Sequence, residues 1–214
     1  MTPDPHKNDL VRRLGPPIED ATGVVILLHG RGGSAEDILS LAGLIKLPQL
    51  TYLAPQAAEN SWYPNSFLAP IASNEPWLSS ALRKVESIVE MVEHSGISAS
   101  RIAIGGFSQG ACLATEFVAR HPRRYAALFA LTGGLIGPPD ADLSHAGNLD
   151  GTPAFFASSD PDPHVPWARV KDSAAIFKAM GASVSLKRYE GRGHTISAEE
   201  LDLVSELLRP AFGK

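Results

Sequence analysis

Gly106-Phe107-Ser108-Gln109-Gly110 follows the apolar run Arg101 to Phe107 and precedes the helical pattern from about Gln109 to Arg120. A serine on such a strand-to-helix turn is held in strained backbone geometry with its hydroxyl above the sheet, and flanking glycines let strand and helix approach closely. A turn serine with purely steric glycines has the same letters; the strand, turn and helix around it favour a nucleophile. Outward from this turn, short apolar runs alternate with longer amphipathic stretches, the pattern of a mostly parallel, doubly wound sheet covered by helices.

Gly23 to Leu28 is uninterrupted and β-branched, as a strand buried on both faces requires, and it stops at His29-Gly30-Arg31-Gly32-Gly33. Leu50 to Leu53, Tyr125 to Leu131, Ala154 to Ala157 and Ser183 to Tyr189 read as further strands. Ser34 precedes acids suited to a first helical turn, and the apolar pattern then continues to Ile45. Trp77, Leu78, Ala81, Leu82, Val85, Ile88, Val89 and Val92 recur at helical spacing, with Gly96 where that helix would end. Two more helices are expected over Trp167 to Met180 and Ala198 to Leu208. Residues Gln56 to Pro76 fit neither period, holding Trp62, Tyr63, Phe67 and Leu68 among three prolines and three asparagines. Such a loop is a binding wall or an aromatic plug beneath ordinary backbone.

The chain's 214 residues suit one α/β domain, with no repeat or linker to divide residues 1–214. With 44% hydrophobic and 20% charged residues it has material for a core, which excludes general disorder. Its 19 basic and 23 acidic residues form no cationic stripe, so nucleic acid is not an expected partner. Cys112 is the one cysteine, so no intramolecular disulfide can form, and a reducing cytoplasm is the expected compartment. Met1 to Lys7 lacks the basic start and apolar run of a secretory signal, and no apolar stretch approaches the roughly 20 residues of a membrane span.

A serine nucleophile needs a base at hydrogen-bond distance and an acid to orient that base. In the chain order usual for this turn both follow the serine, which sets aside His6, His29 and His94. His121 sits at a helix end and His145 in a polar loop. His194, in Gly191-Arg192-Gly193-His194 after the last strand, is the expected base, with His164 as competitor at the pocket rim. For the acid, Asp160 and Asp162 stand two residues apart in a proline-rich loop, and periodicity does not choose between them. Acyl transfer also needs donors for the developing oxyanion, and the backbone N–H groups of Gln109 and Arg31 are the expected pair. Gly30-Arg31-Gly32-Gly33-Ser34 lacks both the lysine of a phosphate loop and the third glycine of a dinucleotide fingerprint. No histidine or cysteine pair has metal-ligand spacing, so neither metal nor cofactor is expected. Cys112 reads as a small buried hydrophobe.

Leu27-Leu28-His29-Gly30, Pro55 with Ser61-Trp62-Tyr63, Gly106 to Gly110, Asp162-Pro163-His164-Val165-Pro166 and Gly193-His194 together resemble the phospholipase/carboxylesterase family of α/β-hydrolases over nearly the whole chain. The resemblance implies the α/β-hydrolase fold without a large cap domain and a triad of Ser108, Asp162 and His194, which decides for Asp162 over Asp160. It likewise implies oxyanion N–H groups at Arg31 and Gln109. Two departures stand out: Ser158-Ser159-Asp160-Pro161-Asp162 replaces the family's usual His-Gly-x-x-Asp, and Arg31 replaces the leucine of the eukaryotic thioesterase-like members. The loop through Trp62, Tyr63, Phe67 and Leu68 looks closer to the small bacterial esterases. The expectation is a carboxylesterase for short to medium acyl chains working through an acyl-enzyme, its partner a small-molecule ester. An apolar pocket is expected from Trp62, Phe67, Leu68, Leu135, Ile136 and Trp167. The alternatives are an acyl thioesterase or lysophospholipase, and an idle hydrolase fold used as a binding module. Members of the family often pair, so a homodimer is a further expectation, although no isolated stripe marks an interface.

Overall fold

Side chains alternate through β2 (Val24–Leu28): Val24, Ile26 and Leu28 enter one apolar cluster, Val25 and Leu27 the other. A strand with all five residues buried must be covered on both faces, as in a parallel sheet between two helical layers. The computed structural model, which describes residues 3–212, is organised about this strand. Beside it lie β1 (Val11–Leu14), β3 (Thr51–Pro55), β4 (Ile102–Phe107), β5 (Ala127–Leu131), β6 (Pro153–Asp160) and β7 (Ser183–Glu190). The sheet order is β1-β3-β2-β4-β5-β6-β7, with β1 antiparallel to β3 and every other pair parallel. This is the α/β-hydrolase arrangement.

One face is covered by α3 (Trp77–His94), α4 (Gln109–Arg120) and α5 (Trp167–Ala179), which supply Val85, Leu113 and Phe177 among others to the larger cluster. The other face is covered by α1 (Ala35–Leu39), α2 (Ala42–Ile45) and α6 (Ala198–Phe212), through residues such as Ile38, Ile45, Val204 and Leu208. The site depends on where β2 and β4 end. In register, Gly106 lies opposite Leu28, so the elbow rises directly beside the loop that leaves β2.

Three elements differ from expectation. The strand β1 carries no alternation signal because all four of its residues are exposed at the sheet edge, where pairing to β3 and not burial holds it. The pattern from Ser34 to Ile45 is two short helices, not one. Ser34 does cap α1, through a reciprocal pair with Asp37, but the turn ends at Ser40, whose hydroxyl donates to the Asp37 carbonyl at 2.6 Å. Finally, α6 runs past Leu208 to Phe212, where the Gln49 side chain donates to the Phe212 carbonyl at 3.1 Å.

Candidate active site

Ser108 has φ 54° and ψ −119°, a left-handed backbone that a non-glycine residue adopts only when its surroundings enforce it. The enforcement is steric and comes from Leu28. A Cβ on Gly106 would lie 2.5 Å from the Leu28 carbonyl oxygen and one on Gly110 only 2.1 Å from it, so the first turn of α4 packs on the end of β2 at a distance open to glycine alone. The Ser108 N–H donates to Leu131 O at 3.0 Å, fixing the turn to β5 as well.

The Ser108 hydroxyl lies 2.9 Å from His194 Nε2, and His194 Nδ1 lies 2.8 Å from Asp162 Oδ2. The other carboxylate oxygen of Asp162 accepts the N–H groups of His164 and Val165, both at 2.9 Å. Burial raises the Asp162 pKa, but the amide of His164, the His194 ring and the amide of Val165 together outweigh it and hold the carboxyl below its usual range. Asp160, the alternative in the sequence, pairs instead with Arg188 across β6 and β7 at 2.5 Å. His164 meets the His194 ring edge-on at 5.0 Å, between ring centres, and Phe107 lies 4.9 Å from it.

Sequence reasoning missed the residues that hold His194. Arg192 donates to Ser159 Oγ at 3.0 Å and to Ser197 Oγ at 3.1 Å, pairs with the fully buried Glu200, and lies 4.0 Å over the Tyr189 ring. The Ser159 hydroxyl in turn donates to Gly193 O at 2.8 Å. The available signal was the Ser197-Ala198-Glu199-Glu200 spacing at the start of α6: Glu200 accepts the Ser197 N–H at 2.8 Å, the arrangement of a capping box.

On the oxyanion side, no intramolecular acceptor is found for the backbone N–H of Arg31 or Gln109 among the described residues. Both residues line a cavity of about 820 Å³ together with Ser108 and His194. Their side chains hold its wall. Gln109 accepts the Trp62 N–H at 3.0 Å and donates to Tyr63 O at 2.8 Å, while the Arg31 guanidinium reaches Ser61, Pro64 and Asn65. Phe67 and Leu68 line the cavity, joined by Tyr63 and Cys112.

Trp62, Leu135, Ile136 and Trp167 do not line it. Trp62 is fully buried, its indole donating to His29 O at 2.8 Å, because the loop turns this ring under itself. Leu135 and Ile136 are core residues whose backbone is claimed by Arg169 and Glu116. Trp167 is half-buried against the larger cluster at the start of α5.

The loop is also pinned by two histidines that sequence reasoning set aside. His29 Nε2 accepts the Ala57 N–H at 3.1 Å, and His6 Nδ1 accepts the Ala58 N–H at 3.0 Å, so each ring is neutral as placed. Burial lowers both pKa values. Above the ordinary imidazole value of about 6.5 neither the folded nor the unfolded chain is protonated at these rings. Below it the unfolded chain gains protons that the folded chain does not, so stability falls by up to about 1.4 kcal/mol per pH unit for each ring until its lowered value is reached. Urea midpoints are therefore expected to drop between about pH 7 and pH 5, less steeply in His29→Gln. An equal slope in wild type and variant would count against this account of His29.

Residues 12–211 match the family model described as phospholipase/carboxylesterase. The crystal structure of a phospholipase/carboxylesterase from Dyadobacter fermentans is 45% identical, superposes with a TM-score of 0.91, and matches over 94% of this chain and 96% of that one. Acyl-protein thioesterase 1 of Gibberella zeae is 25% identical over 91% of this chain and 92% of its own length. Acyl-protein thioesterase 1 of Kluyveromyces lactis is 31% identical over 63% of this chain, which spans 60% of that protein. No helix among the described residues is long and apolar enough to cross a membrane.

Proposed function

The chain belongs to the phospholipase/carboxylesterase family of hydrolases, and from that premise we propose that it cleaves carboxylic esters of short to medium acyl chain through an acyl-enzyme on Ser108. The observation that carries the reading is the continuous relay from the Ser108 hydroxyl through both ring nitrogens of His194 to Asp162, at 2.9 and 2.8 Å. Ser108 attacks the ester carbonyl as His194 Nε2 takes its proton, and Asp162 orients the ring and stabilises the imidazolium. The Arg31 and Gln109 N–H groups receive the oxyanion, an arrangement in which one donor is commonly worth about a hundredfold or more in rate. His194 then protonates the departing alcohol, and water repeats the sequence on the acyl group. Asp162, held ionised by its donors, suits the orienting role. The lone buried Cys112 supports a reducing compartment such as the cytoplasm.

A cavity of about 820 Å³ falls within the usual range for small-molecule sites, which supports a short or medium chain. The second reading, thioester cleavage, is favoured by the names of the Gibberella and Kluyveromyces relatives. Initial rates on p-nitrophenyl esters from acetyl to palmitoyl, with a thioester of matched acyl group, separate the two. Turnover is expected to peak at or below octanoyl and to favour the oxoester. A palmitoyl optimum, or a thioester cleaved far faster than its oxoester, would replace the first reading with the second.

A further inference from the structure

Two residues that line the cavity carry a formal charge, Asp162 and Arg31, and only the side chain of Arg31 is exposed. The Asp162 carboxylate is fully enclosed, with its oxygens committed to His194 and two backbone amides. Arg31 lines the same cavity and is exposed. Its Nη1 donates to Ser61 Oγ at 2.9 Å and Pro64 O at 3.0 Å, its Nη2 donates to Asn65 O at 2.6 Å, and the guanidinium carbon lies 5.9 Å from the centre of the Tyr63 ring. These partners fix the fork without neutralising it, and Arg31 takes part in no ion pair among the described residues. A guanidinium has five N–H donors and stays charged at any physiological pH; with three engaged, two have no partner among the described residues.

We propose that Arg31 recognises a carboxylate on the substrate, so that the esters this chain prefers are anionic: half-esters of dicarboxylic acids, or esters whose alcohol bears the acid. The inference rests on the esterase reading of the same site. An ordinary surface arginine loses rotamer freedom when it binds an anion; here three hydrogen bonds have already removed it, and the planar fork retains donors suited to a carboxylate. The backbone of Arg31 stands at the proposed oxyanion position, so the acid lies within one arginine side chain's length of the scissile carbonyl. Phe67 and Leu68 leave the connecting carbons an apolar wall.

The test compares mono-p-nitrophenyl glutarate with p-nitrophenyl pentanoate for an acid on the acyl side, and 4-carboxyphenyl butyrate with phenyl butyrate for one on the alcohol side. Each rate is normalised to the ester's own alkaline hydrolysis. At low ionic strength the wild type is expected to favour the anionic member of one pair by about tenfold or more in kcat/KM, the worth of a charge-assisted hydrogen bond. About 0.5 M salt reduces that ratio, because the pair is open to solvent. Arg31→Met collapses it, whatever loss both esters share from the loosened loop, and Arg31→Lys keeps part of it. A wild-type ratio near one in both pairs overturns the proposal, as does a ratio that survives Arg31→Met, since Arg31 would then serve only to clamp the loop. Failure of the esterase reading is distinct: wild type and Ser108→Ala would then be equally slow on all these esters.

Discussion

Ser108→Ala is expected to lower kcat on p-nitrophenyl butyrate by about 10⁴-fold or more, His194→Ala to do nearly the same, and the double variant to be no worse than either alone. The non-additivity is the informative part. The Ser108 hydroxyl is a weak nucleophile unless His194 Nε2, 2.9 Å away, removes its proton, and His194 without Ser108 has nothing to activate. Two groups that act as one unit lose their whole contribution when either is removed, and what remains is owed to the backbone donors and substrate binding. The serine side chain makes no capping hydrogen bond to α4, so Ser108→Ala is expected to fold with an unchanged circular dichroism spectrum. Stopped-time assays of the three variants against wild type decide the matter. Multiplicative losses, or a His194→Ala enzyme with near wild-type kcat, would remove the relay from the mechanism, and an unaffected Ser108→Ala would favour a binding module with an idle site.

What was legible in the sequence follows from how local the constraint is. The parallel strands announce themselves because burial on both faces forces unbroken apolar runs such as Val24 to Leu28. The elbow is legible because glycine at 106 and 110 is demanded by the close approach of backbone, the Leu28 carbonyl oxygen nearest to both. By contrast β1 is held by edge pairing, which asks nothing of its side chains, and the break at Ser40 is set by one local hydrogen bond. Periodicity does not separate Asp162 from Asp160, because what distinguishes them is tertiary: Arg188 pairs with Asp160, and His194 reaches Asp162. The pocket was half legible. Apolar residues near the elbow are easily named, but which of them face a cavity depends on the path of the loop from Gln56 to Pro76, and that path is drawn by His6, by His29 and Arg31, and by Gln109, from three separate segments. Aromatic composition alone suits wall and core equally.

Trp62 offers the sharpest test of that path, because its expected effect is on stability and large. The ring is fully buried, lies 4.9 Å from His29 and 5.6 Å from His6 between ring centres, and donates its N–H to His29 O at 2.8 Å. Trp62→Ala removes the packing, leaves a void and strips a buried carbonyl of its donor, for a cost of about 3–5 kcal/mol. In a chain of this size that corresponds to a fall in Tm of about 6–20 °C. Leu68→Ala is the counterpart: Leu68 is half-buried and lines the cavity, so truncation is expected to cost about 1 kcal/mol and to act on KM for the longer acyl chains. Thermal melts and KM values for the two variants across the acyl series should therefore move in opposite proportion. If Trp62→Ala instead melted with the wild type and raised KM, the indole would face the substrate, and the loop would have to run with its aromatic side toward Ser108 rather than beneath itself.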